Sequence, residues 1–167
     1  MNDPVLIRPT THADIAAVDL LLATSYPALL KADYPPSVLV TALPIISRAR
    51  PELLVCGTYY AALRAGKIVG AGGWTLSSPE AAKTALQTAH VRHFVTDHRV
   101  TRQGIASALM GHCLSQARAA GVVRMVCQAT RTALPFYQRM GFVGQREISV
   151  PLDAGINFPA IVMEQYL

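Results

Sequence analysis

Apolar residues recur along this chain with two periods, and one segment shows the helical period most clearly. Within residues 102–120, Ile105, Leu109 and Cys113 are spaced four apart, and Gly121 follows where a left-handed C-terminal cap would lie. The spacing predicts an amphipathic helix with its apolar stripe against a core.

The other segments predict more strands than helices. Alternating runs predict strands, proline and glycine clusters predict turns, and residues 77–88 form a polar excursion. This order of elements predicts an α+β fold with a mixed sheet, in one domain over 1–167. The predicted elements are a strand at 5–8, a helix from Thr10 or Thr11 through 22, a short helix from about 37, strands at 58–63, 67–76 and 90–96, a helix at 102–120, a strand at 122–128, a helix at 132–140 and strands at 142–150 and 158–166.

The composition is that of a chain able to build a core. Hydrophobic residues make up 51% and charged residues 15% of the 167 positions, which excludes disorder for the body of the chain. The uncharged stretch 34–47 contains three prolines and is shorter than the roughly 20 apolar residues that cross a bilayer, so we expect no membrane partner.

The cysteines and the N-terminus bear on the compartment. Cys56, Cys113 and Cys127 are an odd number with apolar neighbours, which predicts buried thiols in a reducing environment. The first residues have neither the basic nor the apolar region of a secretory signal, so a cytoplasmic location is expected.

The net charge of +5 is concentrated in one part of the chain. Residues 90–131 hold six arginines and one acid, Asp97, and this difference equals the whole net charge. Such a band suggests an anionic partner, although a solvated cationic face would have the same composition.

The segment from Thr101 to Ala106 joins a predicted strand to the strongest helix. Unpaired amides and the positive end of the helix dipole meet there, which favours binding of a phosphate group. Gly104 allows close approach of the backbone, and Arg102 adds a fixed positive charge. The alternative is an ordinary helix start with Thr101 as the N-cap.

Other known motifs are missing from the sequence. It has no phosphate-binding G-x-x-x-x-G-K-[ST], no G-x-S-x-G nucleophile motif, and glycines 70–73 lie in a predicted strand rather than before a helix. The histidines have no recognised metal-ligand spacing, so no metal is expected.

Two segments resemble the core of the GNAT superfamily of acyl-CoA-dependent N-acyltransferases. Residues 93–96 followed by 102–110 (RQGIASALM) resemble the family's [RQ]-x-x-G-x-[GA] pyrophosphate loop and helix. Residues 133–142 (ALPFYQRMGF) resemble its A-x-x-x-Y-x-x-x-G-F segment. The resemblance implies a mixed, mostly antiparallel sheet of six to seven strands flanked by about four helices.

The resemblance also implies a reaction, in which an amine attacks the thioester of acetyl-CoA directly. Tyr137 lies where the family often places a general acid for the leaving thiolate, a role that suits a phenol with a pKa near 10. The residues that the resemblance assigns to CoA binding are Phe94, Val95, Thr96, Thr101, Arg102, Gln103, Gly104, Ile105, Ala106, Thr130, Ala133 and Phe136.

This sequence departs from the family pattern at three places. Thr101 replaces the usual Arg or Gln of the loop, and Thr130 replaces an Asn found in many relatives. The strand in which many relatives carry a glutamate base has no acid, and His93, or less favourably His90, is the candidate base.

The acceptor is predicted from less specific features. Ten acids in the chain disfavour a polycationic substrate, so we expect a small amine or amino-acid-like acceptor, or a peptide amine. A homodimer is the assembly that the resemblance suggests, and no nucleic acid is expected. Two alternatives stay open: a catalytically silent acyl-CoA sensor, and a nucleic-acid binder based on the arginines. The candidate acceptor-binding residues are Tyr26, Tyr34, Trp74, Asn157 and Phe158.

Overall fold

A computed structural model describes residues 3–76 and 87–167 of the chain. Most of the polar excursion predicted at 77–88 therefore lies outside the described residues. Seven strands and five helices are described, together with three short 3-10 turns. The helices are α1 (Ile15–Leu30), α2 (Pro36–Ile46), α3 (Pro51–Leu54), α4 (Ile105–Ala119) and α5 (Leu134–Arg139), and the strands are β1 (Leu6–Pro9), β2 (Tyr59–Arg64), β3 (Lys67–Leu76), β4 (Thr88–Thr96), β5 (Arg124–Ala129), β6 (Val143–Pro151) and β7 (Asn157–Tyr166).

The strands form one mixed sheet in the order β1-β2-β3-β4-β5-β7-β6. All neighbouring pairs are antiparallel except β4 and β5, which are parallel. The predicted mixed, mostly antiparallel sheet is confirmed.

The parallel pair is joined over only part of its length. Thr88, Ala89 and His90 of β4 pair with the first three residues of β5, and the pairing stops there. Within the described residues, 91–96 therefore have no strand partner on the β5 side, and the sheet opens between the two strands.

Helices cover both faces of the sheet. Val18 and Leu22 of α1 are fully buried and pack with Leu54 of α3 against β2, β3 and β4 on one face. Ile105, Leu109 and Cys113 of α4 pack on the other face, as their spacing predicts. Alternation along β2 explains why neighbouring Tyr59 and Tyr60 belong to these two separate clusters.

The helices differ from the prediction at three points. The apolar face of α1 continues through Ser25 to Leu30, so this helix extends well beyond residue 22 and contains Pro27. Helix α3 follows the proline-rich segment and was not predicted. Helix α4 begins at Ile105 with Gly104 as its N-cap, so the alternative in which Thr101 is the N-cap is wrong.

The burial of the cysteines is predicted correctly for two of three. Cys113 and Cys127 are buried free thiols, whereas Cys56 is exposed. Cys56 lies in the turn between α3 and β2, where its apolar neighbours in sequence do not enclose it.

One described helical stretch, His12–Leu30, is long and apolar enough to cross a membrane by length and composition alone. One third of that stretch is buried inside the protein. Its buried residues pack on β3 and β4, which is the arrangement of a helix that covers a sheet.

Candidate active site

A cavity of about 700 Å³ lies where β4 and β5 separate. Residues 90–96 of β4 line one side of it, and Val126, Cys127 and Gln128 of β5 line the other. The start of α4 and helix α5 border it on one face of the sheet, and α1, α2 and the segment before α3 border it on the other. The gap thus joins the two faces of the sheet.

The loop before α4 is shaped to receive an anion. Arg102 and Gly104 both have a left-handed backbone, with φ of +61° and +81°, and no side chain caps the first turn of the helix. The first-turn amides are therefore free to bind a ligand, and the helix dipole favours a negative one. A Cβ at Gly104 would meet nothing within 4 Å, so the approach to these amides is open. The pyrophosphate of CoA fits this cradle.

Most of the predicted CoA-binding loop reaches the cavity. Thr101, Arg102, Gly104, Ile105 and Ala106 all line it. Gln103 is outside the lining, because its side-chain oxygen accepts a hydrogen bond from Arg64 at 2.5 Å on the protein surface.

Strand β4 contains a bulge at the edge of the cavity. Gly73 pairs with Arg92 and Ala71 with Val95, so two residues of β4 lie opposite one of β3. His93, in the bulge, has φ of +48°, a conformation that needs support from its surroundings.

Two tyrosine hydroxyls supply that support. Tyr59 of β2 donates to the backbone carbonyl of His93 at 2.8 Å, and Tyr26 of α1 donates to that of Phe94 at 3.0 Å. Burial raises the pKa of both phenols, so both hydroxyls keep the proton that they donate. The bulge is therefore fixed from the face of the sheet that carries α1.

The imidazole of His93 has one nitrogen engaged and one free. Its Nε2 lies 2.7 Å from the carbonyl oxygen of Ile46 at the end of α2, so this nitrogen carries the hydrogen. In the neutral ring Nδ1 then has a lone pair, and Nδ1 has no hydrogen-bond partner in the described part of the chain. Burial, the largest cause, lowers the pKa of His93, and the charge of Arg50 lowers it further. The ring is neutral at pH 7, and its Nδ1 is buried.

Tyr137 of α5 lies on the other side of the opening. Its side chain lines the cavity and is 5% exposed. Burial raises the pKa of its phenol well above 10, so the hydroxyl is protonated at neutral pH. Within the described ranges no group forms a hydrogen bond with that hydroxyl.

Cys127 is the thiol at this opening. It lines the cavity beside Tyr137, and burial raises its pKa to about 12. The thiolate is the nucleophilic form of cysteine, so this side chain is suited to packing rather than to covalent catalysis.

The remaining predicted CoA-binding residues also meet at the cavity. Phe94, Val95 and Thr96 line it from β4, and Thr130, Ala133 and Phe136 line it from the segment that follows β5. The rings of Phe94 and Phe136 are stacked with centroids 6.0 Å apart. The hydroxyl of Thr130 accepts the amide hydrogen of Ala133 at 3.1 Å and so shapes the start of α5.

Two of the five predicted acceptor-binding residues reach the cavity, Tyr26 and Phe158. Trp74 does not, because it is 5% exposed within the core on the α4 face. Tyr34 is buried, and its hydroxyl connects two segments: it donates to the carbonyl of Pro159 at 2.8 Å and accepts the amide hydrogen of Arg131 at 2.9 Å. Asn157 is exposed at the start of β7, outside the cavity lining.

Sequence reasoning missed two residues at this site. Arg50 lines the cavity, yet nothing in the sequence distinguishes it from Arg48 two positions earlier. Tyr59 fixes the bulge, but its position predicts only a buried strand residue. Both acquire their places through tertiary packing, which leaves no local signal.

The arginine band is divided between structural pairs and the cavity. Arg92 and Arg102 line the cavity, and Arg102 has no ion pair among the described residues. The band therefore contributes two positive charges directly to the site. Three others pair with acids: Arg99 with Asp97, Arg124 with Glu164 and Arg131 with Glu147.

A sheet that opens between two parallel strands beside an anion-binding helix start defines the GNAT class of acetyltransferase folds. The family model described as "Acetyltransferase (GNAT) domain" matches residues 50–163, about two thirds of the sequence. The chain belongs to this family.

Solved structures share the fold over almost the whole chain. A GCN5-related N-acetyltransferase from Rhodopseudomonas palustris has a TM-score of 0.77 at 17% identity, covering 100% of this chain and 98% of its own. The PaiA N-acetyltransferase of Thermoplasma acidophilum, in complex with coenzyme A, has a TM-score of 0.72 at 12% identity over 98% and 99%. A polyamine N-acetyltransferase of Drosophila melanogaster, which forms N-acetylagmatine, has a TM-score of 0.68 at 16% identity over 98% and 100%. No curated protein matches the sequence.

Proposed function

We propose that this protein transfers the acetyl group of acetyl-CoA to the amino group of a small molecule by direct attack. The observation that carries the proposal is the cavity itself, which joins the anion cradle at α4 to His93 and Tyr137. The neighbour solved with coenzyme A and those described as N-acetyltransferases support both halves of this assignment.

In this reaction acetyl-CoA supplies an activated acetyl group, whose carbonyl carbon bonds to the amine nitrogen as its bond to sulfur breaks. The free Nδ1 of His93 accepts a proton from the attacking amine, which must lose one to become a neutral amide. The hydroxyl of Tyr137 donates its proton to the departing sulfur. Exchange with solvent then removes the proton from His93 and returns one to Tyr137, so both groups are restored.

The chain's own residues also bind and orient the co-substrate. The amides that begin α4 and the side chain of Arg102 hold the phosphates, and the unpaired side of residues 91–96 binds the extended arm of the co-substrate as an added strand would. Direct attack is favoured over an acyl-cysteine because burial keeps the Cys127 thiol protonated.

The test uses Tyr137→Phe, which removes the hydroxyl and keeps the ring. We expect kcat to fall by about 100-fold or more, the ordinary contribution of a general acid, with unchanged affinity for acetyl-CoA by calorimetry. Tyr60→Phe is the matched control, because Tyr60 is buried on β2 away from the cavity lining. Retention of full activity in Tyr137→Phe would remove this tyrosine from the mechanism.

A second candidate, a silent acyl-CoA-binding module, is favoured by one observation. Among the described residues that line the cavity there is no Asp or Glu, so the base role falls to a histidine, His93 or His90. Normal acetyl-CoA binding without turnover on a broad amine panel would support that module. No affinity for CoA would exclude both candidates.

A further inference from the structure

The cavity has an end that the co-substrate cradle does not occupy. We call it the acceptor end: the part lined by α1, α2, the segment to α3, and strands β6 and β7 with their connection. It lies across the sheet from the start of α4, on the side where Ile46 holds the His93 ring.

The walls of the acceptor end are apolar. Six of the side chains that form them are Leu29, Ile45, Ile46, Leu53, Leu152 and Phe158. Walls of this kind bind an apolar group by removing its surface from water.

The charge at the acceptor end has a single sign. Arg50 lines the cavity there, and in the described part of the chain it has no salt bridge. No Asp or Glu belongs to the described lining, so a ligand with further positive charges would meet repulsion and no counter-ion. A substrate such as agmatine or a polyamine does not fit this end.

Arg50 also influences the candidate base. Arg50 and His93 line the same cavity, and the positive charge of Arg50 is among the causes that lower the pKa of His93. The amine and the carboxylate of an α-amino acid share one carbon atom. A ligand with those two groups therefore requires adjacent partners, one to receive the amine and one to bind the carboxylate.

We propose that the acceptor is an apolar α-amino acid, whose carboxylate is bound by Arg50 while its side chain lies against the apolar walls of the acceptor end. This inference rests on the proposed acetyl transfer. It makes Arg50 the residue that determines specificity, through the fork of donors with which a guanidinium binds a carboxylate.

The experiment compares acceptors that differ only in the carboxylate. Phenylalanine is paired with phenethylamine, leucine with isoamylamine, and agmatine serves as the polycationic acceptor. We expect kcat/KM to be about 10- to 100-fold higher for each amino acid than for its decarboxylated partner, the range for hydrogen bonds between charged groups.

Arg50→Gln should reduce that preference, because it should raise KM for the amino acids by a larger factor than for the simple amines. Arg48→Gln is the matched control, since Arg48 is exposed and outside the cavity lining. A preference for agmatine or for the decarboxylated amines would overturn the inference and leave the acetyl transfer intact. So would an equal loss on both kinds of acceptor in Arg50→Gln.

A binding measurement separates the inference from the chemistry. N-acetylphenylalanine, the expected product, keeps the carboxylate and can be titrated into the protein in the presence of CoA. Binding that weakens about 10-fold or more in Arg50→Gln supports the assignment of Arg50 even if no amine is turned over. Equal binding to both proteins, or none to either, refutes it.

Discussion

Tyr59→Phe tests whether the bulge in β4 is held by a hydrogen bond from another strand. Tyr59 has no exposed surface, and its hydroxyl donates to the carbonyl of His93 at 2.8 Å. Phenylalanine fills almost the same space, so the substitution removes the donor and leaves the packing. The carbonyl of His93 then loses its partner inside the protein.

The expected cost follows from that geometry. A buried acceptor left without its donor costs about 1–3 kcal/mol. For a chain of this length, 1 kcal/mol corresponds to roughly 2–4 °C, so the melting temperature should fall by about 2–12 °C. His93 has φ of +48°, and such a conformation persists only while its surroundings enforce it. We therefore expect kcat/KM to fall by about 10-fold, because relaxation of the bulge displaces the candidate base.

The assay pairs thermal unfolding with kinetics at a temperature where both proteins are folded. Tyr60→Phe is the control, because Tyr60 is adjacent in sequence but packs on the opposite face, edge-on against His112. A melting temperature within about 1 °C of the parent would show that the hydroxyl does not hold the carbonyl. Lower stability with full activity would show that the bond stabilises β2 and β4 without positioning His93.

Two further predictions concern the cradle and the base. Gly104→Ala should lower acetyl-CoA affinity about 10-fold and the free energy of unfolding by about 1–2 kcal/mol, because alanine resists φ of +81°. Gly111 lies inside α4 with open space around it. Gly111→Ala should therefore raise the free energy of unfolding by about 0.5–1 kcal/mol without affecting acetyl-CoA affinity. Calorimetry measures the acetyl-CoA affinity and melting curves measure the stability. Equal changes of these two quantities in Gly104→Ala and Gly111→Ala would contradict the explanation. Because the pKa of His93 is lowered from 6.5, kcat should rise with pH through an ionisation below 6.5 and be constant by pH 7. Asparagine tolerates positive φ, so His93→Asn is the variant to compare. In it, kcat should be lower and should no longer rise with pH below 6.5. The same rise of kcat with pH in both proteins would identify another group as the base.

The succession of strands and helices along the chain could largely be predicted from the sequence because it depends on periodicity. The stripe of Ile105, Leu109 and Cys113 is buried as predicted, and the hairpin of β2 and β3 is where the turn residues place it. Hydrophobic burial acts on whole segments, so a correct period is enough to predict such elements.

The start of α4 could not be read in the same way. The sequence predicts a helix from residue 102. Because Arg102 and Gly104 have left-handed backbones, the helix begins at Ile105 instead. Glycine permits such a conformation, while at an arginine it is set by the surrounding fold. A motif can therefore locate a phosphate cradle without predicting which residues carry its turns.

Trp74 shows a different failure. Trp74 is a candidate acceptor-binding residue by sequence, yet it lies in the core with Tyr60 and Met110. The bulge in β4 and a register shift between β2 and β3 alter the side-chain alternation along these strands, so counting residues does not give the face.

One helix connects the two halves of the candidate reaction. Tyr26 of α1 lines the acceptor end and also donates to the carbonyl of Phe94 in the bulge, and its ring lies 6.0 Å from that of His93. One side chain thus forms part of the wall of the acceptor end and also holds the bulged strand. A change in the position of α1 would disturb the strand and the wall of the acceptor end together, while Tyr59 and Ile46 hold His93 independently of Tyr26. The sequence separation of 68 residues between Tyr26 and Phe94 explains why this coupling appears only in the folded chain.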